Sequence, residues 1–195
     1  MPRPATTTSD AILEAVAALA GRHGPAAATI QAISAATGAS VGSLYHRFSS
    51  REALLAQAWL RTAAAFLAEF TAVLDASESV EDGLEAALLT PRWARKNRAA
   101  AALIVSRSRD EFLSAGASGD TIEKADALGR DLGASLKGFA DRVGLADAAG
   151  LARCRYALVG VPDGAVRLYL PERTPPPELD AWVEAAYRGV MAACP

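Results

Sequence analysis

The stretch TIQAISAATGASVGSLYHRF, residues 29–48, constrains this chain more than any other. It divides into two short helical segments about a glycine. Thr29 is a good N-cap, because its hydroxyl can accept from a free backbone N–H of the first turn. Ile30 and Ile33 lie three apart and share one inward face. Gly38 supplies the positive-φ position that ends the first helix and opens the turn. Ser40 is placed to cap the second helix, and Leu44 and Phe48, four apart, to hold that helix against a core. Val41, Gly42, Ser43, Tyr45 and His46 are left for the outer side. A braced helix with a small, hydroxylic and aromatic outer face, free of acidic residues, suits insertion into a DNA major groove.

The flanks extend the pattern. AILEAVAALAGRHG precedes the motif and SSREALLAQAW follows it. The ordered set Gly38, Gly42, Leu44-Tyr45-His46, Phe48 and Ser50-Arg51-Glu52-Ala53-Leu54-Leu55 is more specific than a bare helix-turn-helix. Over residues 9–59 the chain resembles the TetR (tetracycline-repressor) family of bacterial transcription regulators. The resemblance implies an all-α fold of about nine helices: a three-helix helix-turn-helix DNA-binding head and a helical ligand-binding and dimerisation body. Residues 1–8 are then a flexible N-terminal arm, 9–55 the DNA-binding domain, and 56–195 the effector-binding and dimerisation domain.

Within the head, Ser43, Tyr45 and His46 carry donors suited to phosphates or base edges. Gly42 permits close approach of backbone to DNA, and the caps at Thr29 and Ser40 can present backbone N–H groups to a phosphate. The resemblance places Arg51 against a phosphate. Val41 departs from the family, which frequently has lysine or arginine there. Valine can touch a thymine methyl but forms no hydrogen bond, so weak, salt-sensitive binding is expected, and little change in affinity between low and moderate salt would count against phosphate-led contact.

Charge agrees with a modest footprint on DNA. The 195 residues carry a formal net charge of −2. Before residue 60, Arg3, Arg22, Arg47 and Arg51 face Asp10, Glu14 and Glu52, which leaves the head mildly basic and the remainder acidic. Arg3 in the arm could reach a minor groove or simply be solvated. Cys154 and Cys194 are too few for a disulfide framework; Cys154 sits in an apolar run and reads as core, and Cys194 as a free thiol. No apolar run approaches the ~20 residues of a membrane span, and Glu14 interrupts the stretch that a leader would need. A cytoplasmic protein without membrane contact is expected.

Along the chain, helices are expected over 9–23, stopped by Gly24-Pro25, and from Ser50 to about residue 74. Ser79 with Asp82 forms a capping box for a helix to Leu89, after which Thr90-Pro91 reads as a new start. Arg92, Arg95, Lys96 and Arg98 read as a solvated helix face. Further helices are expected over 97–113, over 120–143 with Gly129, Gly133 and Gly138 inside, and over 147–170, kinked at Pro162. After the proline-rich loop PERTPPPE, a last helix covers 178–193 with an i, i+3, i+4, i+7 apolar pattern.

The resemblance gives the body two tasks. Its last two long helices pair with those of a second chain; here that implies contact by Leu168, Leu170, Trp182, Tyr187, Val190 and Met191, as a homodimer on a palindromic double-stranded operator. An apolar cavity takes an unknown small-molecule effector, with Phe66, Phe70, Leu89, Trp93, Phe112, Tyr156, Val159 and Asp163 as lining candidates. Asp163 beside Pro162 is the polar one, able to meet a donor or cation. The expected function is a ligand-responsive dimeric repressor, released from its operator by a small apolar effector. The rivals are a ligand-binding dimer that no longer reads DNA and a constitutive DNA binder. An enzyme is not expected: His23 and His46 lack carboxylates at metal-ligand spacing, and no phosphate loop, nucleophile elbow or HExxH occurs. No catalytic residue, metal or cofactor is expected.

Overall fold

Local capping sets out most of the helices in the computed structural model, which describes residues 7–192. The expectations for Arg3 and most of the arm, and for Cys194, lie outside the described residues. Helix α1 (Ser9–His23) starts at Thr8, whose hydroxyl accepts from the Ala11 N–H at 3.2 Å. After a 3-10 turn (Pro25–Ala27) come α2 (Ile30–Thr37), α3 (Val41–Arg47) and α4 (Arg51–Asp75). Then follow α5 (Val80–Lys96), α6 (Arg98–Ser106), α7 (Arg109–Ser114) and α8 (Gly119–Arg142). The chain ends in α9 (Ala148–Arg155), α10 (Val161–Arg167) and α11 (Leu179–Ala192). No strand occurs among the described residues. None of these helices is long and apolar enough to cross a membrane.

The helices are divided differently from the expectation at three places. Pro91 does not begin a helix; it lies buried inside α5. A mid-helix proline removes one hydrogen bond, but the buried face of Leu84, Ala87, Leu88, Pro91 and Ala94 continues across it. Packing of such a face holds a helix together more than propensity does. Residues 97–113 break in two, because Ser108 and Glu111 form a capping box that starts α7. The run from 147 to 170 stays helical but passes through a π turn (Tyr156–Gly160), in which the Val161 N–H bonds the Tyr156 carbonyl. Pro162 follows at once, so the expected disturbance takes the form of a widened turn.

The chain forms two compact units. The first combines Met1–Ala63 with Ala99–Ala125, so the segment 99–125 goes with the head rather than with the remainder of the body. Its core includes Ile12, Val16, Ile33, Leu44, Leu54 and Leu103. Trp59 stacks on Phe112 with ring centroids 5.8 Å apart. Gly21 lies so close to the start of α6 that a Cβ there would fall 1.8 Å from the Ala99 carbonyl oxygen.

The second unit combines Ala64–Arg98 with Asp126–Pro195. Phe70, Leu74, Leu136, Phe139, Leu158 and Tyr187 are at its centre. Tyr187 donates its hydroxyl to the Val80 carbonyl at 2.7 Å, and burial pushes its pKa well above the usual range. The basic cluster on α5 is not merely a solvated face. Arg95 forks onto Asp180 at 2.8 and 2.7 Å, and Arg92 bridges Asp180 and Glu85. Arg98 donates to the carbonyls of Pro171 and Glu172. Three of its four members therefore fasten the proline-rich loop and the start of α11, Arg92 and Arg95 from α5 and Arg98 from the first residue of α6. Cys154 is buried, which raises its thiol pKa.

Candidate nucleic-acid interface

The reading motif is built from short-range hydrogen bonds. Thr29 accepts from the Ala32 N–H at 3.1 Å and Ser40 from the Ser43 N–H at 3.2 Å. Gly38 adopts φ 69° and returns its N–H to the Ser34 carbonyl. The Ser34 hydroxyl donates to the Ala39 carbonyl at 2.7 Å, closing the turn from the other side. Leu44 and Phe48 are buried, and they set the rotation of α3.

That rotation turns Val41, Gly42, Tyr45 and His46 to solvent, with Ser43 half-buried beside them. Tyr45 is 52% exposed and Val41 41% exposed, and their spacing of four puts them side by side on the helix surface. A Cβ on Gly42 would meet nothing within 4 Å, so the backbone there is open to close approach. Thr29 and Ser40 are exposed at the two helix starts. Of the eight residues expected to meet DNA, six are exposed, and Ser43 and Arg51 are half-buried.

Arg51, expected to meet a phosphate, bonds groups of its own chain. Its Nε donates to the Ala28 carbonyl at 2.9 Å, Nη2 to the Pro25 carbonyl, and Nη1 to Glu52 at 3.1 Å. Its side chain is only 25% exposed. Arg47, to which the sequence reading assigns no role, donates Nη1 to the Thr7 carbonyl. Thr7 in turn donates its hydroxyl to the Thr37 carbonyl at 3.0 Å. No sequence signal marks either arrangement, since the acceptors are backbone groups tens of residues away.

The candidate effector residues separate. Phe66, Phe70, Val159 and Asp163 line one cavity of about 80 Å³ in the second unit, with Leu67, Thr90, Leu132 and Leu158. Leu89 and Trp93 line a different groove of about 220 Å³, rimmed by Glu69, Glu85, Arg92 and Lys96. Trp93 still touches the first group through its ring, 5.1 Å from that of Phe66. Phe112 packs on Trp59 within the first unit. Tyr156 is 59% exposed and is not among the residues lining these two spaces. Leu132 and Leu158 are legible in the sequence only as members of apolar stripes, which do not distinguish core from cavity wall.

The expected dimer residues divide as well. Leu170, Tyr187 and Met191 are buried in their own unit and have no surface to offer a partner. Leu168 and Trp182 are exposed, at 76% and 58%, and Val190 is half-buried. Among the described residues no group of three or more His, Cys, Asp or Glu side chains is arranged to hold a metal ion.

Residues 12–58 match the family model described as bacterial regulatory proteins, tetR family. Two solved structures are similar over nearly the whole chain. The TetR family transcriptional regulator PfmR from Thermus thermophilus superimposes with a TM-score of 0.71 at 21% identity, covering 98% of this chain and 99% of that one. The fatty acid degradation regulator FadR from Bacillus halodurans gives 0.66 at 14% identity, covering 98% of each. At such identities the likeness is one of fold. The chain has no significant sequence match among curated proteins.

Proposed function

We propose that the chain, whose residues 12–58 match the family model of tetR bacterial regulatory proteins, acts as a ligand-responsive dimeric repressor of a palindromic operator. The outward face of α3 carries this reading: Val41, Gly42, Tyr45 and His46 stand exposed on a helix braced by buried Leu44 and Phe48. Tyr45 and His46 offer donors and Val41 a methyl surface, the means by which a helix reads base edges. The test is fluorescence anisotropy with duplexes selected from random sequence. Tyr45→Ala is expected to weaken binding by at least ~10-fold, the scale of one lost base contact, with an unchanged melting temperature. Undiminished binding by the variant would remove α3 as the reading helix.

A row of exposed residues supports dimerisation. Ala152, Tyr156, Gly160, Gly164 and Leu168 recur every fourth residue, and all are exposed. A row at that spacing drifts around an α-helix of 3.6 residues per turn, and the wider π turn takes out part of the drift. On α11 the exposed side carries Trp182, Ala185 and Gly189. Small residues admit close helix approach, with Tyr156, Leu168 and Trp182 as anchors. Two reading helices set ~34–36 Å apart would then match successive major grooves.

The effector reading rests on the cavity around Phe66 and Phe70. FadR is named for fatty acid degradation, but the walls here include no basic side chain to meet an acyl carboxylate; the charged residue is Asp163. A neutral apolar molecule, or one bearing a hydrogen-bond donor for Asp163 or Thr90, fits better. Such a ligand would act by preferring a position of α4 that fits the operator poorly. The cavity's small volume, against ~300–1,000 Å³ for most ligand pockets, favours a second reading as a constitutive DNA binder. Thermal shift against a metabolite panel separates the two. An effector is expected to raise the melting temperature and release the operator; compounds that do neither leave the constitutive reading.

A further inference from the structure

The two central arginines of the head, Arg47 and Arg51, bond backbone carbonyls around the motif. We propose that Arg51 is a positioning residue that sets the N-terminus of α2 from the first residue of α4, and is not a phosphate ligand. The inference rests on the reading of α2 and α3 as the DNA-contacting pair.

Three observations carry it. The Arg51 fork is occupied: Nε on the Ala28 carbonyl, Nη2 on the Pro25 carbonyl and Nη1 on Glu52. Its charge is countered by Glu52 at 3.1 Å, and three-quarters of its side chain is covered. Its two carbonyl acceptors belong to the 3-10 turn and to Ala28, which immediately precedes the Thr29 cap. A guanidinium that receives two carbonyls at fixed angles fixes the path of the chain between them, which an ammonium cannot do. The start of α2 is thereby tied to α4 across 23 residues of sequence.

Arg47 repeats the device at the other end of the motif. From the last turn of α3 it holds the Thr7 carbonyl at the entry to α1, while Thr7 holds the C-terminal carbonyl of α2. Arg61 of the same unit lies 3.7 Å from Asp10. Besides Arg47, α3 carries one further basic side chain, His46, on its exposed face.

Arg51→Lys and Arg51→Gln distinguish the roles. A phosphate contact survives lysine, which binds phosphate as a point charge; a two-carbonyl fork does not. Anisotropy with the selected duplex over a range of salt concentrations is expected to show both variants bound roughly 10-fold more weakly, the cost of about one hydrogen bond to a charged group. The slope of log K against log salt should equal that of the wild type. In the free protein, the amides of residues 30–33 are expected to exchange faster in both variants, with the helical content retained. Wild-type affinity in Arg51→Lys, or a slope reduced by ~0.9 in Arg51→Gln, would make Arg51 a phosphate ligand and overturn the proposal. So would unchanged amide exchange, which needs no DNA. If the wild type bound no duplex, the DNA reading would fail while the exchange rates still decided the role of Arg51.

Discussion

Gly21→Ala is expected to lower the melting temperature by about 6–12 °C, roughly 2–4 °C for each of ~3 kcal/mol. The added Cβ would lie 1.8 Å from the Ala99 carbonyl oxygen, 2.6 Å from its carbon and 2.9 Å from its Cα. All three are backbone atoms, so no rotamer change relieves the overlap. Residue 21 of α1 and residue 99 of α6 would have to separate by more than an ångström, and a close-packed interior does not follow such a shift without leaving voids. Overpacking costs ~1–3 kcal/mol where side chains can yield; a clash with backbone belongs at or above the upper end. For a chain of this length each kcal/mol moves the midpoint by roughly 2–4 °C. Gly129→Ala is the control, since a Cβ there meets nothing within 4 Å and alanine favours helix. Calorimetry on both variants decides: equal midpoints would mean that the seam between α1 and α6 is looser than the structure has it.

Trp182→Glu is expected to have the largest effect on assembly. Trp182 is 58% exposed on α11, so its loss takes little from the core of its own unit. In the proposed two-fold interface it would occur twice, and truncating one such anchor typically costs ~2 kcal/mol or more. Glutamate adds the cost of a buried, unpaired charge. Sedimentation velocity should show the dimerisation constant weakened at least ~30-fold, with the thermal midpoint nearly unchanged. Operator affinity should fall in parallel, because a monomer engages one half-site. A variant that stays dimeric would exclude the outer face of α11 as the interface. The same substitution at Tyr187 would say nothing about assembly: that ring is 1% exposed and its hydroxyl is bonded to Val80.

The contrast between Trp182 and Tyr187 shows where sequence reasoning stops. Both lie on the last helix, and the family resemblance assigns both to a dimer contact. One faces solvent and the other sits under Gly83, where a Cβ would come within 2.5 Å of the Tyr187 hydroxyl. Periodicity states that a residue has an apolar neighbour; it does not state whether that neighbour is its own core, a cavity or another copy. The same ambiguity puts Phe112 and Phe66 in one expected pocket, although Phe112 stacks on Trp59 and Phe66 packs near Phe70 and Trp93.

Where the determining contact is local, the residues are sufficient. Thr29, Ser40, Ser79 and Gly38 do as their types and positions require, since a cap or a left-handed turn is decided within three or four residues. The Ser108–Glu111 box obeys the same rule and is equally there to be read. The exposed face of α3 follows from Leu44 and Phe48 alone. What the sequence could not decide were acceptors far along the chain: the carbonyls of Pro25 and Ala28 for Arg51, of Thr7 for Arg47, of Pro171 for Arg98. An arginine announces its charge, but backbone oxygens are the same at every residue. Only the folded chain, by bringing one particular carbonyl within hydrogen-bonding reach of a guanidinium, determines whether that charge meets DNA or holds the protein in shape.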